Sequence, residues 1–326
     1  MKNVNTLYFR LIFILSIFYS SGTIISSQDT INHSKDPFEP VPYLPGIVSL
    51  PGTFGITFMP DGKTVYFARL NPETKKPVIM KSTFREGAWT SPMTAEFSGK
   101  YPEGDPFISP DGFKVFFWST RPTDGSVIQS GSPNIWVAYR TPSCFGNPVC
   151  LSSELNIPAG GFPVVSAKGS LYFFTGQGDG TNETDIFKSV PVNGEYTDIE
   201  NLGTQVNTKY SELDAFISPD ESYMIFSSNR PGGFGKLDLY ISRNSEGKWS
   251  EPVNLGNKIN SAANEYCPSV SPDQKYFYFT SERAGETKGP IYMIDFNLLI
   301  NSLNHVCSMT GEEMTPACLC SFISKN

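Results

Sequence analysis

Five copies of one turn motif, spaced 50, 57, 52 and 53 residues apart, constrain this 326-residue chain more than any other feature. The motif is Ser-Pro-Asp-Gly or a variant of it: Pro60-Asp61-Gly62, Pro110-Asp111-Gly112, Ala167-Lys168-Gly169, Pro219-Asp220-Glu221 and Pro272-Asp273-Gln274. A repeat of about fifty residues is one supersecondary unit that cannot bury its apolar face alone, so the copies must pack against one another. Before each turn stands a short apolar segment, as in Ile56-Thr57-Phe58 or Ala215-Phe216-Ile217. After it comes an aromatic one, as in Val65-Tyr66-Phe67, Val115-Phe116-Phe117 or Phe277-Tyr278-Phe279. Proline presets φ and aspartate bonds the turn backbone, so each anchor reads as a hairpin.

A third strand follows in every copy, among them Ile135-Trp136-Val137, Asp238-Leu239-Tyr240 and Ile291-Tyr292-Met293, and a fourth begins at turns such as Gly87-Ala88-Trp89 and Gly247-Lys248-Trp249. The last copy lacks its fourth strand. At the other end of the chain, Phe38-Glu39-Pro40-Val41-Pro42-Tyr43-Leu44 matches the fourth-strand pattern of Trp249-Ser250-Glu251-Pro252-Val253-Asn254-Leu255. The expected fold is therefore an all-β propeller of five four-stranded blades, its ring closed by the N-terminal strand, which removes open sheet edges. No 3.6-residue apolar period is present, which excludes a helical solenoid.

Ser-Pro-Asp-Gly, an aromatic strand, Ser-x-Arg and then Asp-Ile-Tyr together resemble the TolB-like propeller repeats, the WD-like repeats of exported bacterial proteins. The likeness covers roughly residues 38 to 300 and is best from Ile217 to Tyr240 and from Val270 to Tyr292. The third copy departs, with Ala167-Lys168 for Pro-Asp and Gln177 where others have arginine. The resemblance implies a periplasmic or surface protein that binds other macromolecules. Members commonly have six blades, which is the alternative to the five counted from the anchors.

The first residues have the layout of a secretory leader, with Lys2 and Arg10, the apolar run Leu11 to Tyr19, and small residues after it. Residues 1–27 are assigned to that leader, 28–303 to the propeller and 304–326 to a tail that fits no repeat. The run is too short to span a bilayer, so an exported, periplasmic or extracellular protein with no transmembrane segment is expected, as a monomer. The formal net charge of −7, with no basic cluster, disfavours nucleic acid as a partner.

Candidate chemistry is sparse. With His33 and His305 as the two histidines, a serine triad or a zinc site is not expected. Glu103, Glu212 and Glu265 each stand seven residues before an anchor, with Asp105 and Asp214 two residues further on, and together they are candidates for an acidic ring at the channel mouth. The same three copies carry Arg121, Arg230 and Arg283 eleven residues after the anchor. That pairing within one chain favours bidentate structural bridges, Glu103 to Arg121, Glu212 to Arg230 and Glu265 to Arg283. Asp179, Asn182 and Asp185 form a weak calcium candidate that lacks a complete loop of ligands, and no other cofactor is expected. Cys144 and Cys150 flank a short turn and are a disulfide candidate. The leading expectation is a non-enzymatic propeller that binds a protein or cell-envelope polymer. The alternative is a carbohydrate-active enzyme, a glycoside hydrolase or lyase, using carboxylates in the central channel.

Overall fold

The computed structural model describes residues 36–123, 133–151, 161–176, 183–285 and 287–309. It is a five-bladed β-propeller whose inner strands are Thr53–Phe58, Glu103–Ile108, Gly161–Val165, Glu212–Ile217 and Glu265–Val270. Each pairs antiparallel with the aromatic strand after its anchor turn: Thr64–Leu70, Lys114–Ser119, Leu171–Gly176, Tyr223–Ser228 and Tyr276–Ser281. Third strands follow at Pro77–Arg85, Asn134–Tyr139, Thr184–Ser189, Asp238–Ser245 and Ile291–Asp295. Short outer strands complete the blades, and the fifth receives Val41–Pro42 from the N-terminal side, with Val41 opposite Met293 and Pro42 opposite Tyr292. The ring is thus closed by the segment that the sequence pattern selects.

The core lies between blades. Tyr66 and Ile79 of the first blade, for example, pack with Val115, Phe117 and Trp136 of the second. The aromatic strands supply most of it: Phe67, Phe116, Phe117, Phe173, Phe226, Phe277 and Phe279 are fully buried, each stabilising by about 2 kcal/mol through area removed from water.

Every inner strand is bulged at one place. The ladder register slips between Phe54 and Ile56, Gly104 and Phe107, Gly161 and Val164, Leu213 and Phe216, and Tyr266 and Ser269. At each slip one residue is left-handed: Gly55, Asp105, Phe162, Asp214 and Cys267, with φ between 48° and 56°. These five stand five residues before the five anchors, so the bulge belongs to the repeat. Four carry side chains in a conformation that L-residues rarely adopt.

The chain leaves the last blade in a helix, Phe296–Met309, which the repeat pattern does not anticipate and which crosses the 303/304 boundary. Asp295 caps it, accepting from Leu298 N at 3.0 Å. Phe296, Leu299, Ile300 and Leu303 face the fourth and fifth blades, a spacing of three and four that is helical but too short to stand out in the sequence.

The anchor turns also take positive φ, at Gly62, Gly112, Gly169, Glu221 and Gln274. Gln274 is exposed. Gln274→Gly should therefore raise stability by up to about 1 kcal/mol by relieving the left-handed cost, and Gln274→Ala should not. Paired urea melts of the two variants check this.

Candidate functional site

The three repeated glutamates are sealed inside the ring. Glu212 is fully buried and accepts from Thr208 N at 2.7 Å, Thr208 Oγ1 at 2.9 Å, Ser228 Oγ at 2.7 Å and Arg230 Nη2 at 3.1 Å. Glu265 accepts from Ser261 N and Ser261 Oγ, both at 2.7 Å, and from Ser281 Oγ at 2.6 Å, with Arg283 Nη2 4.0 Å away. Glu103 accepts from Gly99 N at 3.2 Å, from Ser119 Oγ at 3.1 Å and from Arg121.

The arginines reach further. Arg121 Nη2 donates to Phe97 O at 2.9 Å, Arg230 Nη2 to Val206 O at 2.7 Å, and Arg283 to Ile259 O. Those carbonyls lie in the connections that arrive from the preceding blade. Each guanidinium also stacks on two rings of its own blade, Phe226 and Tyr240 for Arg230 at 5.3 and 5.0 Å. In the first blade Thr53 replaces the glutamate and bonds Leu50 O at 2.6 Å, while Arg69 lies directly opposite it.

Asp105 and Asp214 go elsewhere. Inner strands neighbour one another around the ring, so their left-handed residues meet at the axis. A Cβ on Gly55 would lie 3.2 Å from Asp105 Oδ1 and 3.8 Å from Cys267 Sγ. Cys267 Sγ is 3.8 Å from Asp105 Oδ1 and 3.6 Å from Asp214 Oδ2, and Cys267 N donates to Asp214 Oδ2 at 3.4 Å. Both carboxyls therefore touch one thiol on the floor of an axial pocket of about 490 Å³.

Every blade gives the wall above that floor a large side chain from its inner hairpin, Phe54, Trp118, Phe174, Leu213 and Tyr266, with Leu70 and Leu237 beside them. The first five come from two different strands. Where the inner strand supplies the large residue its cross-strand partner is small, as in Phe54 with Ala68, Leu213 with Ser227 and Tyr266 with Thr280. Where the inner strand has glycine the second strand supplies it, as in Gly104 with Trp118 and Gly161 with Phe174. Gly104 is required, since a Cβ there would come within 2.7 Å of the Trp118 ring, and a Cβ at Gly161 would press on Phe174 at 3.0 Å. Trp118 Nε1 donates to Asp105 Oδ2 at 2.8 Å, tying wall to floor.

Burial raises the Asp105 carboxyl to about 6, opposed by the Lys288 charge and the Trp118 bond. Burial again, then the charge of Asp105, raises Asp214 to about 7, with Lys288 opposing. The two titrate as a pair. Burial, followed by the charges of Asp214 and Asp105, holds the Cys267 thiol well above its usual range, so it is a poor nucleophile. On the rim, Glu282 accepts from Asn264 Nδ2 at 2.6 Å, Tyr266 Oη at 3.3 Å and Lys288 N at 3.1 Å.

Of the five carboxylates expected at the channel mouth, then, Asp105 and Asp214 line the pocket and Glu103, Glu212 and Glu265 do not. Cys267, Trp118, Tyr266 and Lys288 were missed. The signal for the floor was the position five residues before each anchor, where Gly, Asp, Phe, Asp and Cys differ. Asp179 and Asn182 lie outside the described residues, and Asp185 accepts from Asn201 Nδ2 at 2.7 Å. Among the described residues no group of three metal-ligating side chains gathers. Cys144 and Cys150 are not bridged to each other: Cys144 Sγ is 3.5 Å from Thr141 Oγ1, and Cys150 Sγ is turned to Ile135 O at 3.8 Å.

No family model matches the sequence, and no curated protein does. Solved structures share the fold. TolB from Acinetobacter baumannii aligns at 16% identity and a TM-score of 0.46 over 74% of this chain, which spans 54% of that one. A TolB-assigned protein from Agrobacterium tumefaciens aligns at 18% identity and 0.50, over 76% of this chain and 78% of its own. A thermostable family-43 glycoside hydrolase aligns at 12% and 0.51, over 77% and 91%. At these identities the common property is the propeller itself.

Two outcomes test the division between sealed and open carboxylates. Glu212→Ala leaves Arg230 buried against an empty site, so urea unfolding should show a loss of about 3–5 kcal/mol; an unchanged midpoint would remove the clamp. Asp214 is raised in the fold, so its contribution to stability is full in acid and is lost as pH rises from its ordinary 3.8 through about 7. Asp214→Asn should gain on the parent over that interval by on the order of 4 kcal/mol and hold a constant difference above it. Parallel curves would show that the carboxyl is not raised.

Proposed function

We propose that the chain is an exported, non-catalytic propeller that grips a protein or cell-envelope polymer through the axial pocket. The observation that supports this reading is the pocket wall. Each of the five inner hairpins puts a large side chain at the axis, although it comes from the inner strand in three blades and the second strand in two. Packing leaves the supplying strand free, but it does not call for four aromatic rings over two carboxyls. The leader-like residues 1–27 support export.

A carbohydrate-active enzyme is the second reading, favoured by two carboxyls in an open pocket on a fold that a glycoside hydrolase shares. The geometry supports it less well. General acid and base need unlike environments to hold unlike protonation states, whereas Asp105 and Asp214 sit at equivalent positions, against the same thiol, and are raised together.

Immobilised protein incubated with purified envelope proteins and polysaccharides separates the two. Binding should weaken at least tenfold in Phe174→Ala and be retained in Pro110→Ala at the opposite end of the channel, with no polymer cleaved. Equal retention by both variants would overturn the binding site. Cleavage abolished by Asp105→Asn would establish the enzyme.

A further inference from the structure

The chemistry of the ligand can be read from what the pocket already holds, and this step rests on the reading that the pocket is the binding site. Lys288, in the connection between the second and third strands of the last blade, is itself left-handed, with φ 56°. Its backbone is fixed at both ends, N–H to Glu282 Oε1 at 3.1 Å and C=O to Gly52 N at 2.8 Å. Its ammonium lies 4.8 Å from the centre of the Phe54 ring and 5.2 Å from that of Tyr266. Among the described residues Lys288 Nζ has neither an ion pair nor a hydrogen bond.

The carboxyls below are equally underused. Asp214 is 7% exposed, and its partners are the Cys267 N–H and thiol, both on Oδ2. Among the described residues Oδ1 has none. Asp105 Oδ1 has the same thiol as its contact. Among the described residues these oxygens face the pocket with no protein donor beyond that thiol, which leaves them open to a donor from a ligand.

Aromatic faces attract a cation through their quadrupole, and a nearby carboxylate adds a charge-assisted hydrogen bond. Four aromatic rings around two carboxyls therefore form a site for an alkylammonium group, and neither part suits an anion. The chain itself makes part of the fit, since the Lys288 ammonium lies against two of those rings, Phe54 and Tyr266. We infer that the axial pocket is an ammonium cage that takes a lysine side chain of a partner protein, with Lys288 as a tethered occupant which that side chain displaces. The formal charge of −7 agrees with a basic partner.

Titration of the full chain with Nα-acetyl-lysine methylamide, butyrate and glucosamine tests the cage, read by the Trp118 indole N–H resonance because that group bonds Asp105. The lysine mimic should shift it saturably and butyrate should not. Lys288→Gln, freed of its own occupant, should bind the mimic at least tenfold more tightly. Adding Asp105→Asn and Asp214→Asn should weaken that binding at least tenfold. Should Lys288→Gln fail to fold, the parent against the double aspartate variant decides by the same resonance. Butyrate binding as well as the mimic, or glucosamine binding more tightly, overturns the lysine cage while leaving a binding pocket. No shift with any probe in any folded variant overturns the cage as well, and the Phe174→Ala retention test then decides separately whether the pocket binds at all.

Discussion

The clamp of glutamate, serine and arginine is the interaction on which the ring depends. A propeller blade has no covalent tie to its neighbours beyond one connection, and that connection must enter the inner strand at a fixed angle for five blades to close. Glu212 fixes it by taking the Thr208 N–H, and Arg230 fixes it again by donating to Val206 O. Ser228 joins the two, donating to Glu212 and accepting from Arg230 Nε at 3.1 Å. A charge sealed at zero exposure is tolerated because both carboxylate oxygens are met by donors, one of them a guanidinium, and losing that partner would leave the charge uncompensated. The second and fifth blades repeat the arrangement, so it is a joint of the architecture.

That sealing explains how acidic residues two apart on one strand come to have unrelated roles. In an unbroken strand positions i and i+2 share a face, which would send Glu103 and Asp105 to the same place. The left-handed residue at Asp105 breaks the alternation. Its bulge leaves the glutamate turned into the joint and swings the aspartate to the axis. The third blade shows that the bulge is separable from the acid, because Phe162 adopts φ 49° with no carboxyl at all.

Most of the fold was legible because turn chemistry and aromatic strands recur at each anchor, and the closing strand declared itself by likeness to Trp249–Leu255. The clamp was legible for the same reason: acid and arginine are present or absent together. The pocket was harder to read. Its floor occupies a position where five copies hold four different residues, and repeat logic discounts positions that vary. Its wall was hidden more deeply, since Trp118 and Phe174 do its work from another strand than Phe54, Leu213 and Tyr266. The final helix escaped because four apolar residues at helical spacing leave too short a signal.

The exchange of large and small residues across the inner hairpin is a statement about volume. Each inner hairpin has room for one bulky side chain at that level beside the axis, and filling both positions would drive the two side chains into each other, as the 2.7 Å approach of a Cβ at Gly104 to the Trp118 ring shows. Either strand can supply it, so the choice is free as far as packing is concerned. What is not free is the character of the lining that results, four aromatic rings and three leucines over two carboxyls that the joints do not use. A closed core would have filled that volume and kept no charge beneath it without an ion-pair partner. At the axis of this propeller charge, aromatic surface and open space coincide, and the clamps have removed the other inner-strand carboxylates from competition.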